Sequence, residues 1–270
     1  MKRTVNTLSV IMVCLLCIFM PIEVSAAKKK SGEDLNGNKW KYNSSTKTIT
    51  FFGTNALQNC NTSHEGLEGD WFIWKNKVEK VVVKNGITQV STENFYGFKK
   101  LKIVKLPKSV TYIGNAAFGE TSLRNIKLPK RVKKIDSHAF SSTKIKKIKL
   151  PKGLKYIGSG AFEDTSLQNI VIPDSVNLVA SAAFWGCDEL QSVTLSKNIT
   201  RINVNTFCYC RKLKKIVIRS KKLWDIDKHA FDEIPSDATF YVPKKMKKKY
   251  TKLLKKCNLG EKVKIVGLRM

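Results

Sequence analysis

Apolar residues recur along this chain with a period far longer than that of a helix or a strand. The dipeptides ending in Phe95, Phe118, Phe140, Phe162, Phe184, Phe207 and Phe231 lie 23, 22, 22, 22, 23 and 24 residues apart. A period of this length marks a solenoid, whose units bury their apolar faces only by stacking on one another. Within each unit a Leu-x-x-Ile-x-Leu pattern begins at Leu101, Leu123, Ile145, Leu167, Leu190 or Leu213. Its alternation predicts a short strand with Ile126 and Leu128 inward and Lys127 outward, and the other units follow the same phase. Pro107, Pro129, Pro151 and Pro173 end that strand, since proline offers no ladder donor. A second short extended piece follows at 110–113, 132–135 and 154–157. Gly114 and Gly158 then permit a sharp bend into the Ala-Phe segment, predicted as a helical turn.

The two ends depart from the repeat, as a solenoid requires if its core and strand edges are to be covered. Residues 38–53 alternate like a hairpin around Asn43, and 54–76 read as a loop anchored by Trp71 and Trp74. A strand is predicted over 78–83. Pro243 opens a predicted helix with Met246, Tyr250, Leu253, Leu254 and Cys257 on one face and a stop at Asn258-Leu-Gly260; a strand over 263–266 closes the edge. The first 26 residues have the marks of an export signal: Lys2 and Arg3, a short apolar run, and Val24-Ser25-Ala26 at the cleavage point. The run is short for a membrane span. The organisation expected is therefore a signal at 1–26, an N-terminal linker and β cap at 27–90, a solenoid of about seven coils of 22–24 residues at 91–240, and a helix and strand cap at 241–270.

Charge adds a second pattern. The formal net charge is +29, and loss of Lys2, Arg3 and Glu23 with the signal leaves +28. Such a surface attracts polyanions in a salt-sensitive way; a lysine-biased composition is the competing explanation. Outward strand positions read Lys105, Lys127, Lys149, Val171, Thr194 and Val217, and the residue after the Pro position reads Lys108, Lys130, Lys152, Asp174 and Lys197. Two ammonium groups one strand spacing apart repel by roughly 1 kcal/mol in water before screening. Lys105, Lys108, Lys127, Lys130, Lys149 and Lys152 therefore form a candidate anion-binding stripe, or else a merely solvated face whose lysine heads splay apart.

Catalytic chemistry is sparse. His138 and His229 share a repeat position that other units fill with Ala116, Gly160, Ala182 and Asn205, which reads as surface. His64-Glu65 is an isolated pair, and no nucleophile elbow, phosphate loop or dinucleotide fingerprint is found. Adjacent carboxylates such as Glu163-Asp164, Asp188-Glu189 and Asp232-Glu233 recur at equivalent turns and read as solvated loops. Five cysteines remain after the signal: Cys60, Cys187, Cys208, Cys210 and Cys257. They make no metal framework. Three residues after each Phe come Phe98, Thr121, Thr143, Thr165, Cys187, Cys210 and Ile234, a ladder of mostly small buried side chains. Cys187 and Cys210 occupy neighbouring rungs of it, so a disulfide between them is open to an exported chain. No cofactor and no metal are expected, and an enzyme sited in the head segment is a minor alternative.

The unit Leu-Pro-x-x-Val-x-x-Ile-x-x-x-Ala-Phe-x-x-Thr/Cys-x-Leu-x-x-Ile, as at Leu128 to Ile148, resembles the bacterial BspA-like leucine-rich repeat. The head from Gly37 to Gly53, with Trp71 and the run from Val81, and the tail from Tyr241 to Cys257 are also similar to that family; the likeness covers 35–266. It implies a secreted or cell-surface, non-enzymatic solenoid that binds host matrix, mucosal or cell-wall macromolecules, protein or anionic glycan, with no shared catalytic residues to transfer. A soluble polyanion binder acting by bulk charge on sulfated glycan, teichoic acid or nucleic acid is the alternative. Ser196 and Arg219 stand where the unit has Pro, so the last coils are expected to be less regular. No Leu-Pro-x-Thr-Gly sorting signal is read, and covalent wall attachment is not expected.

Overall fold

The computed structural model describes residues 29–62 and 69–269, and these form a β-solenoid whose coils each turn through three sides. The export signal at 1–26 and the His64-Glu65 pair lie outside the described residues.

The first side is a sheet in two pieces, parallel throughout except for the N-terminal hairpin, whose strands pair antiparallel. One joins Ser31–Glu33, Lys39–Asn43, Thr48–Phe52, Lys80–Val83 and Ile103–Lys105; the other joins Asn169–Val171, Ser192–Leu195, Lys215–Ile218, Thr239–Pro243 and Lys264–Leu268. Between them, 126–128 and 148–150 were predicted as strands and are not. Among the described residues, none of their backbone N–H or C=O groups is hydrogen-bonded. The predicted phase nevertheless holds, with Ile126, Leu128 and Leu150 buried, Ile148 half-buried, and Lys127 and Lys149 exposed. The second side is continuous through the same coils: Gln89–Val90, Tyr112–Ile113, Lys134–Ile135, Tyr156–Ile157 and Leu178–Val179 pair in parallel register. Arg201–Ile202 and Asp225–Ile226 repeat the pattern further on.

The third side carries the Phe segment, and it is not a helical turn. The residue two after each Phe is left-handed, and so is the residue two before it except at His229, as at Ala116 (φ 48°) and Glu120 (φ 56°) around Phe118. This alternation turns every second amide toward the following coil. The Ala116, Phe118 and Glu120 amides donate to Ser137, Ala139 and Ser141 carbonyls at 2.9, 2.9 and 2.8 Å. A helix would instead spend those amides within its own turn. The position that holds Ala116, His138, Gly160, Ala182 and Asn205 is thus defined by backbone conformation, which explains its varied side chains. Gly114 and Gly158 serve coil-to-coil approach and not the bend itself. A Cβ at Gly114 would lie 2.5 Å from the Ser91 carbonyl carbon, and one at Gly158 2.4 Å from the Ser137 amide nitrogen.

The core is a column of seven stacked rings. Phe95, Phe118, Phe140, Phe162, Phe184, Phe207 and Phe231 stand 5.4–5.7 Å apart with planes 4–16° from parallel. Phe51 and Phe240 close the column edge-on at its two ends. Beside it runs the predicted small-residue ladder. Thr121, Thr143 and Thr165 each donate 2.9 Å hydrogen bonds to the carbonyl of their own coil's Phe. Cys187 and Cys210 instead donate to Phe162 and Phe184 of the preceding coil at 3.0 and 3.2 Å. Both thiols are free, so the disulfide considered above is absent.

Both ends are capped as the pattern required. The hairpin packs Trp40 and Tyr42 inward, Tyr42 stacks on Trp74 at 4.1 Å, and Trp71 donates to the Asn94 carbonyl. At the other end the helix Lys247–Leu254 buries Tyr250, Leu253 and Leu254, and Tyr250 donates to the Ser220 carbonyl at 2.8 Å. The helix stops before Cys257, which is buried all the same. On the first side the coils lacking Pro are the more regular, whereas on the second side pairing breaks between Leu178–Val179 and Arg201–Ile202, and on the Phe side His229 lacks the left-handed conformation of its equivalents, as expected of less regular last coils. Ser196 and Ser220 are buried and donate at 2.6 Å to the Val176 and Ile199 carbonyls of the preceding coil, and the strands before them are four residues long.

Candidate functional site

The charge is segregated along the solenoid. Residues 99–162 contain 17 Lys and Arg but two carboxylates, Glu120 and Asp136, whereas residues 163–243 contain ten of each sign. In the balanced segment the charges pair between coils, as in Arg201–Asp225, Arg211–Asp188, Lys212–Glu189 and Lys214–Asp237. In the basic segment Lys99 and Lys134 take the two carboxylates and Lys102 reaches Glu79. Among the described residues, Lys105, Lys108, Lys127, Lys130, Lys149 and Lys152 make no ion pair, and all six are exposed.

The six are divided between two adjoining grooves. A groove of about 620 Å³ brings together Lys105, Lys108, Lys127 and Lys130, and Arg131 joins them. A second groove, of about 940 Å³, holds Lys149 and Lys152 with Lys147, Arg219 and Asp174. Both grooves open on the stretch where the first sheet is interrupted. There Val104, Ile126, Leu128 and Leu150 keep 5–8 % of their surface exposed and Leu106 and Ile148 are only half-buried, against at most 2 % exposure for Ile170, Ile172, Val193, Leu195, Ile216 and Ile218. Equivalent inward positions carry similar apolar residues in both halves, so core size does not explain the opening. It coincides with coils 22 residues apart, one fewer than in the paired coils beyond, and with lysine at successive outward positions. A shorter link and ammonium repulsion both work against a closed ladder.

Sequence reasoning missed Arg131, Lys147 and Arg219. Arg219 stands in its coil where others have Pro, and its side chain lies back across two coils. Its Nε donates to the Leu195 carbonyl at 3.1 Å and its Nη2 to Asp174 at 2.6 Å. The substitution for Pro was the signal available; a contact across 45 residues is invisible to any local pattern.

The remaining reactive groups are occupied. His138 meets Glu163 at 3.0 Å and His229 meets Asp232 at 2.7 Å, both on the exposed Phe side. Burial pushes the Cys60 thiol up to about 11 and those of Cys187 and Cys257 up to about 12, which suits packing and not nucleophilic attack. Among the described residues no cluster of His, Cys, Asp and Glu could hold a metal ion, and no helix is long and apolar enough to cross a membrane.

A family model described as the BspA type leucine rich repeat region matches in six copies over residues 65–189 and 134–260. The fold is similar to that of a leucine-rich repeat protein from Eubacterium ventriosum ATCC 27560, at 20 % identity and TM-score 0.60 over 80 % of this chain and 67 % of that one. It is also similar to a leucine-rich repeat protein from Bacteroides ovatus ATCC 8483, at 23 % identity and TM-score 0.55 over 76 % of this chain and 53 % of that one. The chain thus spans about two thirds of the first structure and about half of the second. No curated protein matches it.

Proposed function

The chain belongs to the BspA-type leucine-rich repeat family, and on that footing we propose that it is an exported or surface-held binding scaffold, not an enzyme. Its ligand on this reading is a linear anionic polymer of a host matrix, mucosal surface or cell wall, carrying sulfate or phosphate groups. The observation that carries the proposal is the segregation of charge: 17 cations against two carboxylates over 99–162, beside a neutral segment of the same fold. Bulk lysine bias would not spare 163–243. The groove linings contain no aromatic side chain on which a base could stack, which favours a glycan-type polymer over single-stranded nucleic acid. Lysine point charges lack the planar fork of arginine, so discrimination among anionic polymers is weak.

The test is elution from an immobilised sulfated glycan by a salt gradient. Changing Lys105, Lys127 and Lys149 together to Glu is expected to weaken binding by about tenfold or more at physiological salt, with the fold intact because all three side chains are exposed. Changing Lys247, Lys248 and Lys252 of the C-terminal helix to Glu alters net charge equally and is expected to have a smaller effect. Equal losses would assign binding to bulk charge and refute a defined face.

A further inference from the structure

The interrupted sheet leaves something that a closed solenoid lacks. In a parallel sheet every inter-coil N–H is consumed by the neighbouring coil. Here the amides of 126–128 and 148–150 are released from that role, and they sit between coils at the floor of the lysine grooves. The same coils are held in register elsewhere. Lys146 N donates to the Arg124 carbonyl at 3.2 Å and Gln168 N to the Lys146 carbonyl at 3.1 Å, just before the open stretch. The second-side strands Tyr112–Ile113, Lys134–Ile135 and Tyr156–Ile157 and the Phe-side ladder continue unbroken. The opening is therefore one-sided and framed by rigid elements, which makes it a shaped groove and not a frayed end.

We propose that these unpaired backbone amides are part of the binding site: sulfate or phosphate groups of the polymer enter the gaps between coils and accept hydrogen bonds from them, while Lys105 and Lys127 neutralise the charge in one groove and Lys149 does so in the other. Backbone donors aimed at an anion are oriented groups, unlike lysine heads, and they favour a group with several terminal oxygens. Lysine supplies attraction at a distance; the amides supply position. The lysine-free part of the same face, 193–195 and 216–218, cannot offer such donors because its ladder is closed on both sides. The inference rests on the polyanion reading above.

Amide hydrogen exchange on the full chain tests it, with heparin, inorganic polyphosphate and duplex DNA as probes and retention on immobilised heparin measured alongside. With heparin or polyphosphate bound, exchange at 126–128 and 148–150 is expected to slow by about tenfold or more, while 193–195 and 216–218, paired on both sides, stay unchanged. Salt at 1 M without polymer is the control for simple screening. Retention on heparin with unchanged exchange in the open stretch would overturn the amide site and leave the lysine face standing. Equal slowing by salt alone would also overturn it, since screening would then close the ladder without a bound group. No retention would sink both readings. Protection by DNA equal to that by heparin would overturn the restriction to glycan-type polymers.

Discussion

Two adjacent alanines should respond to the same substitution with opposite signs. Ala182 is left-handed at φ 56°, and the next residue, Ala183, is fully buried beside the ring column. A residue with a Cβ held in the left-handed region carries a cost of about 1–2 kcal/mol, which Gly does not. Gly in turn loses about 0.4–1 kcal/mol more chain entropy on folding than Ala. At Ala182 the difference favours Gly by roughly 0.5–1 kcal/mol. At Ala183 there is no strain to relieve; the substitution adds the entropy loss to that of one buried methyl, about 0.8 kcal/mol, for a net cost of about 1–2 kcal/mol. Gly160 already occupies the Ala182 position one coil earlier, so the backbone accepts it. Urea unfolding of Ala182→Gly and Ala183→Gly reads the sign directly: the midpoint should rise for the first and fall for the second. A fall of similar size for both would refute the left-handed assignment on the Phe side and with it the third ladder.

Other consequences concern the core and its thiols. Ile216→Asp should destabilise by about 1–2 kcal/mol more than Ile126→Asp, because Ile216 lies under a ladder closed on both sides and Ile126 borders a groove through which water can reach a carboxylate; equal urea midpoints would contradict this. The five thiols should react slowly with a thiol reagent in the native protein at pH 8 and all together once it is unfolded, since each is buried. Burial raises Cys60, Cys187 and Cys257 from 9.0 in an exposed thiol to about 11, 12 and 12, so the unfolded chain releases its thiol protons first. Their contribution to stability is then full below pH 9 and is lost as pH rises through that window. Replacing Cys187 with Val should make the decline above pH 9 shallower in melts at stepped pH; an unchanged slope would count against a thiol origin.

Spacing alone was enough to establish the solenoid, because a coil of about 22 residues can bury Ile126, Leu128 and Phe118 together only by stacking. The inward and outward phase was legible for the same reason: in an extended segment alternate residues face opposite ways whether or not the ladder closes. The two caps were legible in the alternation of the hairpin and the helical spacing of Tyr250, Leu253 and Leu254. Composition also displayed the excess of lysine. What remained hidden depends on contacts between coils. The pairing of 126–128 and 148–150 with their neighbours is decided by link length and by repulsion across the stack, and neither is a property of one repeat. The left-handed residues that flank the Phe positions carry Ala, His, Asn, Asp, Glu, Ser and Tyr as well as Gly, so side-chain identity does not announce a conformation that the amide ladder between coils imposes. Arg219 joins the candidate site only because two coils of stacking bring Asp174 within its reach. Sequence therefore determined which residues face the core and where the charge lies, both set by periodicity along one chain. Tertiary structure decided which strands close, which amides stay free and which lysines share a groove, because those follow from distances between coils.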